Sequence, residues 1–125
     1  MEIANKLNRR EPRLRLSLPI VSEWQTQDGL LIRVSTLSNN ISYYGLGITL
    51  AANVNWSRTG LHLGSRIKLA ANNYRYLTTG TVQHISLQPD GSWLIGIKLD
   101  SPLFSWLARY KVCSQQLLAN FVPLA

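Results

Sequence analysis

The 125-residue sequence has few of the residues that build metal, redox and catalytic sites. It contains one cysteine, Cys113, and two histidines, and its carboxylates are scattered. A lone cysteine excludes an internal disulfide and indicates a reducing compartment. No metal-ligand spacing, carboxylate pair or Gly-Lys-Ser/Thr phosphate loop occurs. We therefore expect a binding protein and not an enzyme, without a metal or other cofactor.

Long apolar runs are also missing. No stretch approaches the roughly 20 apolar residues that cross a bilayer, and the polar, basic start does not resemble a secretion signal. With 46% hydrophobic and 15% charged residues, the composition is that of a folded protein. The sequence thus predicts one small cytoplasmic domain that does not insert into a membrane.

Positive charge is abundant and clustered. Lysine and arginine number 13 against 6 acidic residues, for a net charge of +7. Five of the cations fall within ten positions: Lys6, Arg9, Arg10, Arg13 and Arg15. Such a segment favours an anionic partner, and the planar guanidinium of arginine suits phosphate oxygens and base faces. A basic terminus that only improves solubility is the alternative.

Period-two alternation predicts about six strands, each bounded by turn residues. Asp28-Gly29 and the Pro-Asp-Gly sequence at 89–91 are the clearest turn signals. The predicted strands occupy 13–24, 30–38, 46–52, 65–70, 76–88 and 92–100, with 53–64 as a connection that holds some short pairing. This pattern predicts an all-β fold, a six-stranded antiparallel barrel over 13–100.

The two ends of the chain lack this alternation. Residues 1–12 are predicted to form a flexible arm, since Pro12 disfavours helix before it. Residues 101–125 are predicted to form a C-terminal helix and tail, because Ser101-Pro102 is a typical helix start. Leu103, Leu107 and Tyr110 recur at helical spacing and would cover one barrel opening. For Trp106 we expect core or rim packing, with partial exposure at a partner surface as the alternative.

A polar turn follows the second predicted strand. It reads Asn40-x-Ser42-x-x-Gly45. Asn and Ser carry donors and acceptors close to the main chain and suit a tight turn, and Gly45 leaves room for a close approach to the backbone. On local features alone, a hairpin turn without further function is the preferred interpretation.

Two motifs together resemble a known family. Arg9-x-x-x-Arg13 before the first strand and Asn40-x-Ser42-x-x-Gly45 after the second resemble the paired motifs of PilZ domains, bacterial receptors for the second messenger cyclic di-GMP. The segments GSRIKLA, TGTVQHIS and WLIGIKLDSP resemble later strands of that family, so the likeness covers most of residues 8–105. It implies a PilZ-type barrel, and a single-domain member that acts on an unidentified downstream protein.

The resemblance also implies roles for the basic arm. Arg9 and Arg13 would bind the phosphates and guanine edges of cyclic di-GMP. Arg10 would add a phosphate contact or a stacking face. The arm would become ordered over the ligand and so act as a switch.

Roles on the barrel wall follow from the same resemblance. Asn40 and Ser42 would bind a guanine edge, and Gly45 would leave room for the base. His84, two residues after Val82, stands where some members carry a residue that stacks on the ligand.

Two other functions are kept open by the sequence. One is a PilZ-like adaptor that binds proteins without ligand, for example in pilus assembly. The other, which we do not expect, is a nucleic-acid-binding barrel with a basic arm and stacking aromatics such as Trp56, Tyr43 and Tyr44. In a strand Tyr43 and Tyr44 would point to opposite faces, so at most one would stack.

Overall fold

The fold was analysed on a computed structural model, which describes residues 17–54, 56–71 and 75–121. Side chains are described for 17–54, 58–71 and 75–112. The predicted arm, 1–12, and with it Arg9, Arg10 and Arg13, lies outside the described residues.

Six strands and two helical segments make up the described chain. They are β1 (Pro19–Gln25), β2 (Leu31–Ile41), β3 (Gly45–Leu50), α1 (Trp56–Thr59), β4 (Arg66–Ala70), β5 (Tyr76–Leu87), β6 (Trp93–Leu99) and α2 (Leu103–Phe121). All strand pairs are antiparallel, and the sheet closes into a barrel in the order β1-β2-β3-β6-β5-β4. The predicted fold class, a six-stranded antiparallel barrel with a C-terminal helix, is confirmed.

Alternation along the strands fills the barrel interior. Leu46, Ile48 and Leu50 of β3 are buried and point inward, while Gly47 and Thr49 between them lie on the opposite face, where Thr49 is partly exposed. Since successive side chains of a strand point to opposite faces, each strand supplies every second residue to the core. The buried cluster comprises Ile20, Trp24, Ile41, Leu46, Ile48, Leu50, Leu61, Ile67, Leu69, Ala71, Leu77, Val82, Ile95, Ile97, Leu99 and Trp106.

Helix α2 adds Trp106 to this cluster. The indole is only 1% exposed, and Leu103, Leu107 and Tyr110 pack against the core around it. The alternative of partial exposure is therefore wrong, and core packing is confirmed. Trp106 lies between Leu103 and Tyr110 on the same helical face, so the predicted stripe missed its most buried member.

The first strand starts later than alternation predicted. Among the described residues it begins at Pro19, and Ser17 and Leu18 before it do not belong to a strand, while positions 13–16 of the predicted strand lie outside the described residues. Proline has no N–H to donate to the ladder, which suits the first residue of a strand. Leu18 is nevertheless anchored to β2, because its N–H donates to Ser38 Oγ (2.7 Å) and its carbonyl accepts from the Ser38 N–H (3.0 Å).

The connection after β3 also differs from the expectation. Where short strand pairing was predicted within 53–64, the described residues contain the single helical turn α1. The Thr59 carbonyl at its end accepts a hydrogen bond from Trp24 Nε1. This bond satisfies the one polar group of a buried indole, so the turn is held by a core side chain.

Candidate functional site

A depression of about 460 Å³ lies on the outer wall of the barrel, across strands β2, β3, β6 and β5. Asn40, Ser42, Gly45 and His84 all line it. These are the four sequence-predicted site residues that fall within the described chain. The structure thus brings the polar turn and the histidine, about 40 positions apart in sequence, to one surface. The predicted Arg9, Arg10 and Arg13 contacts lie outside the described residues.

The floor of the depression is a row of residues across four strands. Asn40 on β2 is paired with Gly47 on β3, Gly47 with Gly96 on β6, and Gly96 with His84 on β5. Residues directly opposite in antiparallel strands have their side chains on the same face. Two side chains therefore flank a stretch of bare backbone, made by the two glycines.

Any side chain on these glycines would change the floor. A Cβ at Gly47 would lie 3.2 Å from Asn40 Oδ1, and a Cβ at Gly96 would lie 3.0 Å from His84 Cβ. Both distances are shorter than ordinary van der Waals contact. Sequence reasoning assigned no site role to Gly47 or Gly96. Their signal was a glycine at an outward position of each of two alternating strands, where glycine packs poorly.

Two β-bulges aim the flanking side chains. The register shifts between Ser38 and Asn40 on β2, and between Val82 and His84 on β5. Ser38 and Val82 are buried, so strict alternation would turn Asn40 and His84 inward as well. One extra residue in each strand turns them outward, which is a recognised use of bulges near functional sites.

The turn between β2 and β3 presents the Ser42 hydroxyl. The Ser42 N–H donates to the Gly45 carbonyl (2.9 Å), which closes a tight loop. A Cβ at position 45 would lie 2.5 Å from Ser42 Oγ, so only glycine leaves the hydroxyl where it is. Within the described chain, the side chains of Asn40, Ser42 and His84 make no hydrogen bond. Their donors and acceptors are available to a ligand.

The two tyrosines of this turn connect the site to helix α2. The Tyr44 carbonyl accepts from the Leu99 N–H (2.8 Å), and the Tyr43 carbonyl accepts from the Leu103 N–H (2.7 Å) at the helix start. The Tyr43 ring packs edge-on against Tyr44 (4.8 Å between centroids) and Phe104 (5.9 Å). The tyrosines lie in a turn and not in a strand, so the prediction that they point to opposite strand faces is wrong.

Charge lies beside the depression and not in it. Among the described residues, no Lys, Arg, Asp or Glu lines it. Nearby, the Arg66 guanidinium forms an ion pair with Asp100 and, with a hydrogen bond from Thr79, lowers the pKa of that carboxyl. The described wall can therefore recognise a ligand by hydrogen bonding and shape, while charge for an anion must come from its surroundings.

Metal clusters and membrane-spanning helices are two further features to consider in the same described ranges. There, no three His, Cys, Asp or Glu side chains are grouped as metal ligands. None of the helices in that part of the chain has the length and apolar character of a membrane span.

Solved structures were then compared with this architecture. The chain is similar to the PilZ domain of YcgR from Escherichia coli, solved with c-di-GMP, at a TM-score of 0.54 and 16% identity, over 91% of this chain and 98% of that one. The chain has the PilZ fold. No family model matches the sequence, and no curated protein is similar enough in sequence to match it.

A second solved structure is similar over the same share of this chain. The inhibitor of motility MotI/DgrA from Bacillus subtilis is similar at a TM-score of 0.56 and 19% identity, over 91% of this chain. This chain spans 53% of that protein's length. At such identities the likeness concerns the fold, and the PilZ barrel predicted from the two motifs is confirmed at that level.

Proposed function

We propose that the protein is a receptor for cyclic di-GMP, which binds at the depression on the β2-β3-β6-β5 wall. The main support is the convergence of Asn40, Ser42, Gly45 and His84 on one surface. Asn40 and Ser42 offer hydrogen bonds to the edge of a guanine, whose N7 and O6 are acceptors and whose amino group is a donor. The bare backbone between Asn40 and His84 accommodates a flat ring, and the imidazole of His84 provides a face for stacking.

The arginine motif, which precedes β1 in sequence, is proposed to supply the positive charge of the site. Leu18 is hydrogen-bonded to Ser38, two positions before Asn40 on β2. Arg13 precedes Leu18 by five positions, and five residues of chain span at most roughly 17 Å. Chain length therefore allows Arg13 to reach the depression, and we propose that Arg9 and Arg10 bind beside it. Their guanidinium groups would supply the positive charge for the two phosphates.

Binding would be passed on through the turn that carries Ser42. Tyr43 and Tyr44 follow Ser42 directly, and their carbonyls hold the start of α2 and the end of β6. A ligand that forms a hydrogen bond with the Ser42 hydroxyl therefore binds to a loop that is itself hydrogen-bonded to helix α2. We propose that a downstream protein in the cytoplasm recognises the resulting change, because a ligand can shift a conformation only by binding its two states differently.

Calorimetry of the full chain tests the proposal. We expect cyclic di-GMP to bind with a Kd of about a micromolar or tighter, and GTP and a single-stranded oligonucleotide not to bind. Ser42→Ala and Arg13→Ala should each weaken binding at least tenfold. Ser35→Ala is the matched control, because Ser35 is an exposed serine on β2 outside the depression.

The other outcomes separate the alternatives. Binding of the oligonucleotide without the dinucleotide would favour the nucleic-acid-binding barrel. Binding of neither would favour the ligand-independent adaptor. Equal weakening by Ser42→Ala and Ser35→Ala would show that the ligand binds elsewhere.

A further inference from the structure

Lys98 stands on the outer face of β6 at the edge of the depression. It is paired with Gly45 on β3 and with Thr81 on β5, and it is exposed. Directly opposite residues of antiparallel strands share a face, with Cβ positions about 4.5–5.5 Å apart. Because Gly45 has no side chain, no side chain at that β3 position fills the space between the lysine stem and the Ser42 turn.

The charge of Lys98 is not neutralised by the described residues around it. The row continues from Thr81 to Arg66 on β4, and that guanidinium is bound to Asp100, Thr79 and Thr81. Asp100, two positions after Lys98, is thus already engaged. Within the described chain Lys98 has neither an ion pair nor a hydrogen bond through its side chain.

We infer that Lys98 is an anion-binding residue of the cyclic di-GMP site, an inference that rests on the proposed function. The described lining carries no cation, and the ligand carries two phosphate charges. A lysine ammonium on its four-carbon stem reaches roughly 6 Å from the backbone and binds phosphate as a point charge. It approaches the Ser42 turn from β6, whereas Leu18, which follows the arginine motif in sequence, is hydrogen-bonded beside β2. Lys98 would therefore supply positive charge from the β6 side of the site.

The test compares two exposed lysines, of which only Lys98 lies beside the depression. Lys98→Met and Lys68→Met remove the same charge from exposed outward positions, but Lys68 lies on β4 over the Tyr76 ring, outside the depression. In about 50 mM salt, Lys98→Met should weaken cyclic di-GMP binding roughly three- to fivefold, as expected for one exposed charge contact. Lys68→Met should leave it within about twofold, and Lys98→Arg should also, because it keeps the charge.

Salt provides the second readout. At about 1 M salt the screening length falls to about 3 Å, so the ratio between the Lys98→Met and Lys68→Met affinities should shrink toward one. Equal affinities of the two variants at low salt, or a ratio that does not change with salt, would overturn the role of Lys98 while leaving the receptor proposal intact. Absence of binding by the unmodified chain would instead overturn both. Thermal unfolding of each variant confirms that the fold is retained.

Discussion

The two faces of the β3–β6 wall differ in side-chain size: the inner face carries large apolar residues, and the outer face carries two glycines. On the inner face Leu46, Ile48 and Ile95 are at most 2% exposed and fill the core. On the outer face, between the same strands, Gly47 and Gly96 lie opposite each other and present only backbone. Glycine inside a strand costs about 0.5–1 kcal/mol relative to alanine, so this pair lowers stability. The inner face is explained by core packing, whereas core packing does not explain the two glycines on the outer face.

The largest expected effect comes from breaking the inner face. Ile48→Ala should lower the free energy of unfolding by about 2–5 kcal/mol, because it removes a fully buried side chain and leaves a cavity. Denaturant unfolding measures this change. Cyclic di-GMP affinity, measured where the variant is still folded, should change little. A loss below about 1 kcal/mol would contradict the assignment of Ile48 to a tightly packed core.

Substitution of Gly47, on the outer face, should affect ligand binding more than stability. Gly47→Ala should weaken cyclic di-GMP binding about tenfold or more, because the new methyl occupies the floor and presses on Asn40 Oδ1. The free energy of unfolding should change by less than about 1 kcal/mol. Thr49→Ala, two positions along the same face and outside the depression, is the control. If Gly47→Ala bound as well as Thr49→Ala, the glycine floor would have no role in binding.

A smaller effect should separate the two histidines. His84→Ala should weaken binding roughly three- to tenfold, consistent with the loss of a stacking contact to one base. His62→Ala is the matched variant, since His62 is an exposed histidine outside the depression. Calorimetry measures the cyclic di-GMP affinity of both variants and so compares a histidine in the depression with one elsewhere on the surface. Indistinguishable affinities would remove His84 from the site.

The smallest effect is expected at the Arg66–Asp100 ion pair beside the wall. Asp100→Asn should cost less than about 1 kcal/mol of unfolding free energy at pH 7, because the pair is about half exposed. The pKa of Asp100 is lower in the folded protein than its ordinary value of 3.8. The pair therefore stabilises the fold above that pH, and its contribution is lost as the pH falls through the folded-state pKa. Unfolding of both proteins from pH 7 to pH 2 should show their difference shrink; a constant difference would contradict this origin.

The barrel was predictable because its signals are local. Each of these signals can be recognised within a few consecutive residues. They are the alternation in β2, β3, β4 and β6 and the turn glycines Gly29 and Gly91, both at positive φ. The start of β1 was not predictable in this way. Alternating Leu and Arg residues continue before Pro19, and only pairing with β2 and β4 shows where the strand begins.

The candidate site was predictable only in part, because its geometry depends on irregularity. A strict period of two places Asn40 on the same face as buried Ser38, and His84 on the same face as buried Val82. The bulges that reverse this depend on which residue of the partner strand stands opposite. The facing of Gly47 and Gly96 across strands far apart in sequence depends on the same long-range register.

Closure of the barrel by α2 has one further consequence. Trp106 Nε1 is buried, and no described residue accepts its hydrogen. Leaving such a group dry and unpaired costs about 1–3 kcal/mol, which offsets part of the gain from inserting the indole. Helix α2 is thus held less firmly than its apolar contacts alone would hold it.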